Sequence, residues 1–126
     1  MKNYLICCLV GSMALLACQN VGKQKLVGKW QAVSILEDGM PMPIPVSVVG
    51  FEFYNNGYYN FRSTLEYKEA GTYDVSSNFL YTLDTVNEAS TQKIVQIMQV
   101  AEDSLLLKMN ADGKEQLIKL FKSRCV

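Results

Sequence analysis

Histidine is absent from the 126 residues. Its absence removes the commonest metal ligand and the usual general base near neutral pH. Ser-His-Asp and Cys-His machinery therefore cannot be assembled within one chain, and histidine-containing zinc sites are excluded. Charge of one sign is also lacking: Lys+Arg 12 balances Asp+Glu 12. Without a basic patch or an arginine-rich segment, nucleic acid is not an expected partner. Tryptophan occurs once, at Trp30, and proline three times, all within 41–45. No long helical periodicity appears after residue 20, and no phosphate-binding glycine loop is present. The adjacent acids Glu37-Asp38 and Glu102-Asp103 fall in different breaks of the pattern, so no glycosidase-type pair of carboxylates is evident. These absences argue against an enzyme and imply no cofactor and no metal.

What is present begins with a leader. Met1-Lys2-Asn3 is a short basic start, and the run 4–16 carries no charge. It ends in Leu15-Leu16-Ala17-Cys18, followed by polar Gln19-Asn20. Charged start, short apolar stretch and small residue at the junction make a secretory signal. The run falls short of the about 20 residues that a membrane span needs. Leu-x-Ala-Cys resembles a bacterial lipobox, which implies cleavage before Cys18 and acylation of its thiol and new amino group. The alternative is an ordinary signal peptide with a chance cysteine. On the lipobox reading, 1–17 is the cleaved signal, 18–24 a lipidated tether and 25–126 the domain. Gln19, rather than aspartate, after the cysteine favours the outer membrane, and the lack of a following acidic run favours its periplasmic side. Cys7 and Cys8 leave with the signal and Cys18 is acylated, so Cys125 is the one remaining thiol. An internal disulfide is then excluded, and the fold must be held by its core.

Short alternating runs recur after the leader at roughly 8 to 12 residue intervals, the signature of an all-β barrel or sandwich. They cover 25–36, 46–54, 58–65, 69–75, 79–84, 91–101, 104–109 and 114–122. Tight breaks such as Asn55-Asn56-Gly57, Ser76-Ser77-Asn78 and Asn110-Ala111-Asp112-Gly113 separate them. The pattern predicts an eight-stranded antiparallel up-and-down β-barrel, whose closure removes exposed edges. With Gly57 left-handed in a three-residue turn, Phe53 faces Tyr59, Glu52 faces Asn60 and Phe51 faces Phe61. Phe51, Phe53, Tyr59 and Phe61 then share one face, and Glu52, Tyr54, Tyr58, Asn60 and Arg62 the other. Later strands are two-sided. Leu106 opposes Leu105, Leu107 and Met109, and Leu117 with Phe121 opposes Ile118 with Leu120. The segment 37–45, with proline at every second position from Pro41, reads as an extended stiff loop rather than a strand. Met40, Met42 and Ile44 alternate with those prolines.

Gly28-Lys29-Trp30, Phe51-x-Phe53, Asn56-Gly57-Tyr58 and Gly71-Thr72-Tyr73, in that order and spacing, resemble a lipocalin-like domain of small bacterial (Bacteroidota-type) lipoproteins. The resemblance spans about Leu26 to Phe121. It departs from typical lipocalins in its shortness, in having no evident helix after the last strand, and in having Ala101-Glu102-Asp103-Ser104 where a Thr-Asp-Tyr type motif is usual. The resemblance implies that Trp30 plugs one barrel end under a basic residue near the chain's end, with Arg124 or Lys122 as candidates. In an eight-stranded meander both termini and the turns at 55–57, 76–78 and 102–103 share that end, and the proline-rich loop caps the opposite mouth. The reading that follows is a membrane-anchored, non-catalytic barrel that binds a small apolar or amphipathic molecule at its mouth. Its contact residues would be Met40, Met42, Ile44, Phe51, Phe53, Tyr59 and Phe61. The alternative is a filled barrel acting as a protein–protein module, an inhibitor or an accessory subunit of an envelope complex. Parity places Arg62 outside, towards solvent.

Overall fold

The computed structural model describes residues 21–87 and 92–123. The leader, Cys18, Arg124 and Cys125 lie outside the described residues. Nine strands follow one another: β1 (Gly28–Glu37), β2 (Met40–Pro41), β3 (Gly50–Phe53), β4 (Tyr58–Arg62), β5 (Lys68–Ser76), β6 (Phe79–Asp84), β7 (Gln92–Val100), β8 (Ser104–Ala111) and β9 (Lys114–Lys122). All pairings are antiparallel, in the order β2-β1-β3-β4-β5-β6-β7-β8-β9, and β1 also pairs with β9. β1 and β3 to β9 thus form a closed eight-stranded ring, to which β2 adds a two-residue flap.

The β3–β4 hairpin has the register that the side-chain sorting predicts: Phe53 opposite Tyr59, Glu52 opposite Asn60, Phe51 opposite Phe61. Gly57 supplies the left-handed residue (φ 91°), and its N–H donates to Tyr54 O at 3.2 Å. This matters because a slip of one residue would exchange the two faces. The inward rows carry the core. Trp30, Phe53, Tyr59, Leu80, Leu105, Leu107 and Leu120 are buried to 1% exposure or less. Phe51 stacks on Phe53 with ring centroids 5.4 Å apart, and Phe53 meets Tyr73 edge-on at 4.9 Å.

Several boundaries differ from the sequence reading. Residues 23–26 form a 3-10 turn rather than the start of a strand. The expected strand 46–54 is shorter, because Val46–Val48 makes a 3-10 turn behind Pro45 and β3 begins at Gly50. The proline-rich segment is not wholly a loop. An Asp38-Gly39 turn lets Met40 and Pro41 pair with Glu37 and Leu36. The tail of 58–65 is likewise a 3-10 turn, Thr64–Glu66. Two register shifts also escape simple alternation. One between Ala32 and Ser34 leaves Val33 unpaired with β9; one between Ile97 and Gln99 leaves Met98 unpaired with β8. Each inserts one residue and resets parity, so Trp30, Ala32 and Ile35 all face inwards in one strand.

Candidate ligand groove and barrel interior

The end near both chain termini is closed. The 3-10 turn that precedes β1 folds Leu26 under the barrel, and the Trp30 indole N–H donates to Leu26 O at 2.8 Å. Both side chains have 0% exposure. The buried indole is thus satisfied, which removes the usual penalty on a buried polar group. The cation over Trp30 is Lys122, its Nζ 5.1 Å from the ring centre. Lys122 is one of the two candidates for that role; the other, Arg124, lies outside the described residues.

The mouth residues named from the sequence occupy different environments. Phe51, Phe53 and Tyr59 are at most 5% exposed and pack on one another in the core. Phe61, Met42 and Ile44 are partly buried against that core. Met42 N–H donates to Ile35 O at 3.0 Å, so this part of the proline-rich segment is folded back on β1. Met40 alone of the three is exposed.

Near the same mouth the interior turns polar, which alternation alone signals through Glu69 at an inward position of β5. Glu69 is buried. It accepts from Tyr59 OH at 2.9 Å and from Tyr67 OH at 2.7 Å, and it pairs with Lys93 reaching in from β7. Burial, then the bond to Glu69, raises the Tyr59 pKa well above the ordinary range. Tyr67, which donates to the same carboxylate and is partly desolvated, is pushed up to about 12. Asp84, one strand further on, accepts from Asn87 Nδ2 and from Val86 and Ala70 N–H. Burial acts to raise its pKa, but these bonds hold it below the ordinary carboxylate value. Each carboxylate oxygen of Glu69 and Asp84 accepts at least one hydrogen bond from the chain itself. Among the described residues, no group of three or more Cys, Asp or Glu side chains is placed to hold a metal ion.

A groove of about 700 Å³ opens on the outside of the barrel. Two rows of side chains that cross four strands form its surface. One row aligns Lys29, Glu52, Asn60 and Ala70; the other aligns Gln31, Gly50, Arg62 and Lys68. Val86 and Ser123 also line it. The Arg62 Nη2 donates to Gln31 Oε1 at 2.8 Å. Gln31 is oriented in turn: its Nε2 lies 2.9 Å from Ser47 O, 3.0 Å from Val49 O and 3.2 Å from Val46 O. With the amide nitrogen committed to carbonyls, its oxygen must face Arg62. Gly50 makes room for the guanidinium, since a Cβ there would lie 2.7 Å from Arg62 Nη1. Parity correctly places Arg62 outside. The sequence reading missed Gln31, Gly50 and Lys68 because the β1–β3 register is set across the proline-rich connection, where no local signal gives it.

No family model matches the chain, and no curated protein matches it. Solved structures do. A lipocalin-like protein from Bacteroides uniformis aligns with a TM-score of 0.61 at 17% identity, over 79% of this chain and 99% of that one. An uncharacterised protein from Bacteroides eggerthii aligns with a TM-score of 0.56 at 14% identity, over 78% of this chain and 99% of that one. At such identities the likeness establishes the fold: the barrel is lipocalin-like, as the spaced Gly-x-Trp and aromatic motifs imply.

Proposed function

We propose that this chain is a lipid-anchored envelope protein whose barrel binds a small amphipathic molecule without catalysis. A lipocalin-like barrel supports a ligand-binding role, but a fold alone does not assign one. The observation that carries the reading is the contrast between a barrel interior lined by buried aromatic and leucine side chains and an open groove of about 700 Å³ outside it. That volume lies in the range of small-molecule sites. The groove combines polar heads with the aliphatic stems of Lys29 and Lys68 and the side chain of Val86, which suits a ligand with both polar and apolar parts. The buried interior side chains, by contrast, supply stability. Acylation of Cys18 would hold the termini, and with them the Trp30 end, towards the membrane, in our reading the outer membrane from its periplasmic side.

Native mass spectrometry of protein extracted from its own membranes tests the reading. A bound small molecule is expected on the wild type and lost from Ala70→Trp, which fills the groove floor. Retention by Ala70→Trp would place the ligand elsewhere. Cys18→Ala should leave the membrane fraction or accumulate as precursor; a processed, still membrane-bound variant would remove the anchor.

A second reading, a protein–protein module, is favoured by one feature. The loop tips of the open end carry exposed apolar side chains: Met40, Val86, and Leu65 at 97% exposure. Leu65 also sits in a left-handed backbone conformation (φ 58°). Such a residue is strained and gains no compensating burial within this chain. Co-extraction of a stoichiometric protein that Leu65→Ser releases, with no small molecule found, would favour this reading over the first.

A further inference from the structure

We propose that the outer groove across β1, β3, β4 and β5 is an anion-binding site, taking a small ligand with a phosphate or carboxylate group at Arg62. This deepens the reading just given and rests on it, since it names the polar part of the ligand that the groove would hold.

Three features converge. The first is charge. Lys29, Arg62 and Lys68 line the groove with two acids, Glu52 and Glu69. Glu69 turns inwards and pairs with Lys93, which leaves Lys29, Arg62 and Lys68 against Glu52 on the outer face. Among the described residues none of the three cations joins an ion pair. A cleft lined mainly by one sign of charge concentrates counter-ions of the other sign.

The second is the fixed pose of Arg62. A guanidinium presents five N–H donors in a planar fork. Here Gln31 Oε1 holds one edge of the fork at 2.8 Å, and the nitrogen of that amide is locked to carbonyls of the Val46–Val48 turn and its neighbours. The guanidinium lies over Gly50. A surface arginine that served only solubility would gain nothing from a dedicated amide and a bare backbone beneath it. Arg62 lines the groove with one edge of its fork already held, so less side-chain entropy is lost when an oxyanion binds.

The third is the arrangement around the fork. Lys68 lies beside Arg62 in the same row, and Asn60, Glu52 and Lys29 follow one another in the adjacent row on the same outer face. An oxyanion on Arg62 would have Lys68 at one side and amide and backbone groups for attached hydroxyls. Phosphate and carboxylate share this recognition, because both accept bidentate hydrogen bonds from arginine.

Amide chemical-shift titrations of the full domain test the assignment, with five probes at matched ionic strength: inorganic phosphate, glucose 6-phosphate, galacturonate, neutral glucose and an uncharged apolar dye. Phosphatidylglycerol vesicles form a sixth arm, with phosphatidylcholine vesicles as control. The expected result is saturable shifts confined to Gly50, Arg62, Lys68, Ala70 and their neighbours with the anionic probes, and none with glucose. Arg62→Gln should weaken binding at least about tenfold, the equivalent of losing one charge-assisted hydrogen bond. Arg62→Lys, which keeps the charge but loses the fork, should fall between. Glucose 6-phosphate or galacturonate binding more tightly than vesicles identifies a soluble ligand; the reverse identifies a lipid headgroup. Shifts scattered equally over all surface lysines, or wild-type affinity in Arg62→Gln, would overturn the proposal. If only the apolar dye moves the groove residues, the anion assignment fails while the small-molecule reading stands. If no probe moves them, both fail.

Discussion

At the closed end of the barrel the interior is apolar and aromatic; at the mouth it is polar and charged. Trp30 and Leu26 meet below the first, with one hydrogen bond between indole and backbone. Glu69, Asp84, Tyr59, Tyr67 and Lys93 share the second. The two ends are built from the same antiparallel strands, yet their stability has different sources. The closed end depends on apolar area removed from water and on packing without voids. The mouth depends on each buried acceptor finding a donor, and fails when one is left unpaired. Substitutions should therefore act through lost volume at one end and through lost partners at the other.

The largest effect is expected at Trp30. Trp30→Ala should cost about 3–5 kcal/mol, as loss of a fully buried large aromatic does. That is much of a small domain's total stability. Chemical denaturation measures it. A loss within experimental error would mean that the indole does not hold the closed end, and would erase the contrast. At the mouth, Tyr59→Phe keeps the ring and removes only the hydroxyl. It should still cost about 1–3 kcal/mol, because Glu69 loses a donor while it stays buried. A neutral result there would show that Glu69 is satisfied without it.

The proline-rich segment divides the same way on a smaller scale. Met42→Ser and Ile44→Ser together should cost roughly 1–2 kcal/mol for partly buried side chains, whereas Met40→Ser should stay within about 0.5 kcal/mol. Equal losses at all three positions would mean that the segment packs differently. The smallest effects belong to pH and sharpen the comparison, since the groups concerned sit at the mouth. The Asp84 pKa is lowered on folding, so its contribution is full above the unfolded value near 4 and is lost as pH falls below it. Asp84→Asn should flatten that acid limb. Tyr67 is raised to about 12. Its contribution is full below the unfolded value of about 10 and is lost as pH rises towards 12. Tyr67→Phe should shift that alkaline limb, while a Trp30 variant should change neither.

How far the sequence carries can be read from particular residues. The β3–β4 register was legible because Gly57 fixes the turn and a slip would mix Phe53 with Asn60. The plug was legible at Trp30, the only large aromatic in its strand. Val33 and Met98 were not, because an inserted residue looks like any other member of an apolar run until its partner strand is known. Glu69 was half legible: a carboxylate in phase with Tyr73 and Val75 stands out, but Lys93, its partner, comes from two strands away. The groove was the least legible, since it is a property of four strands in register. Arg62 could be placed outside the barrel, but what it lies upon and what holds it depend on Gly50 and Gln31.

The seam between β1 and β9 sets a constraint in time as well as in space. It pairs Trp30 with Lys122 and Glu37 with Gln116, so the ring shuts only when almost the whole length of the domain is present. Contacts so distant along the chain make folding slow relative to helical domains of equal size, and until the seam forms β1 and β9 each present an unpaired edge open to other chains. A polypeptide that closes last to first stays unclosed until its final strand has emerged.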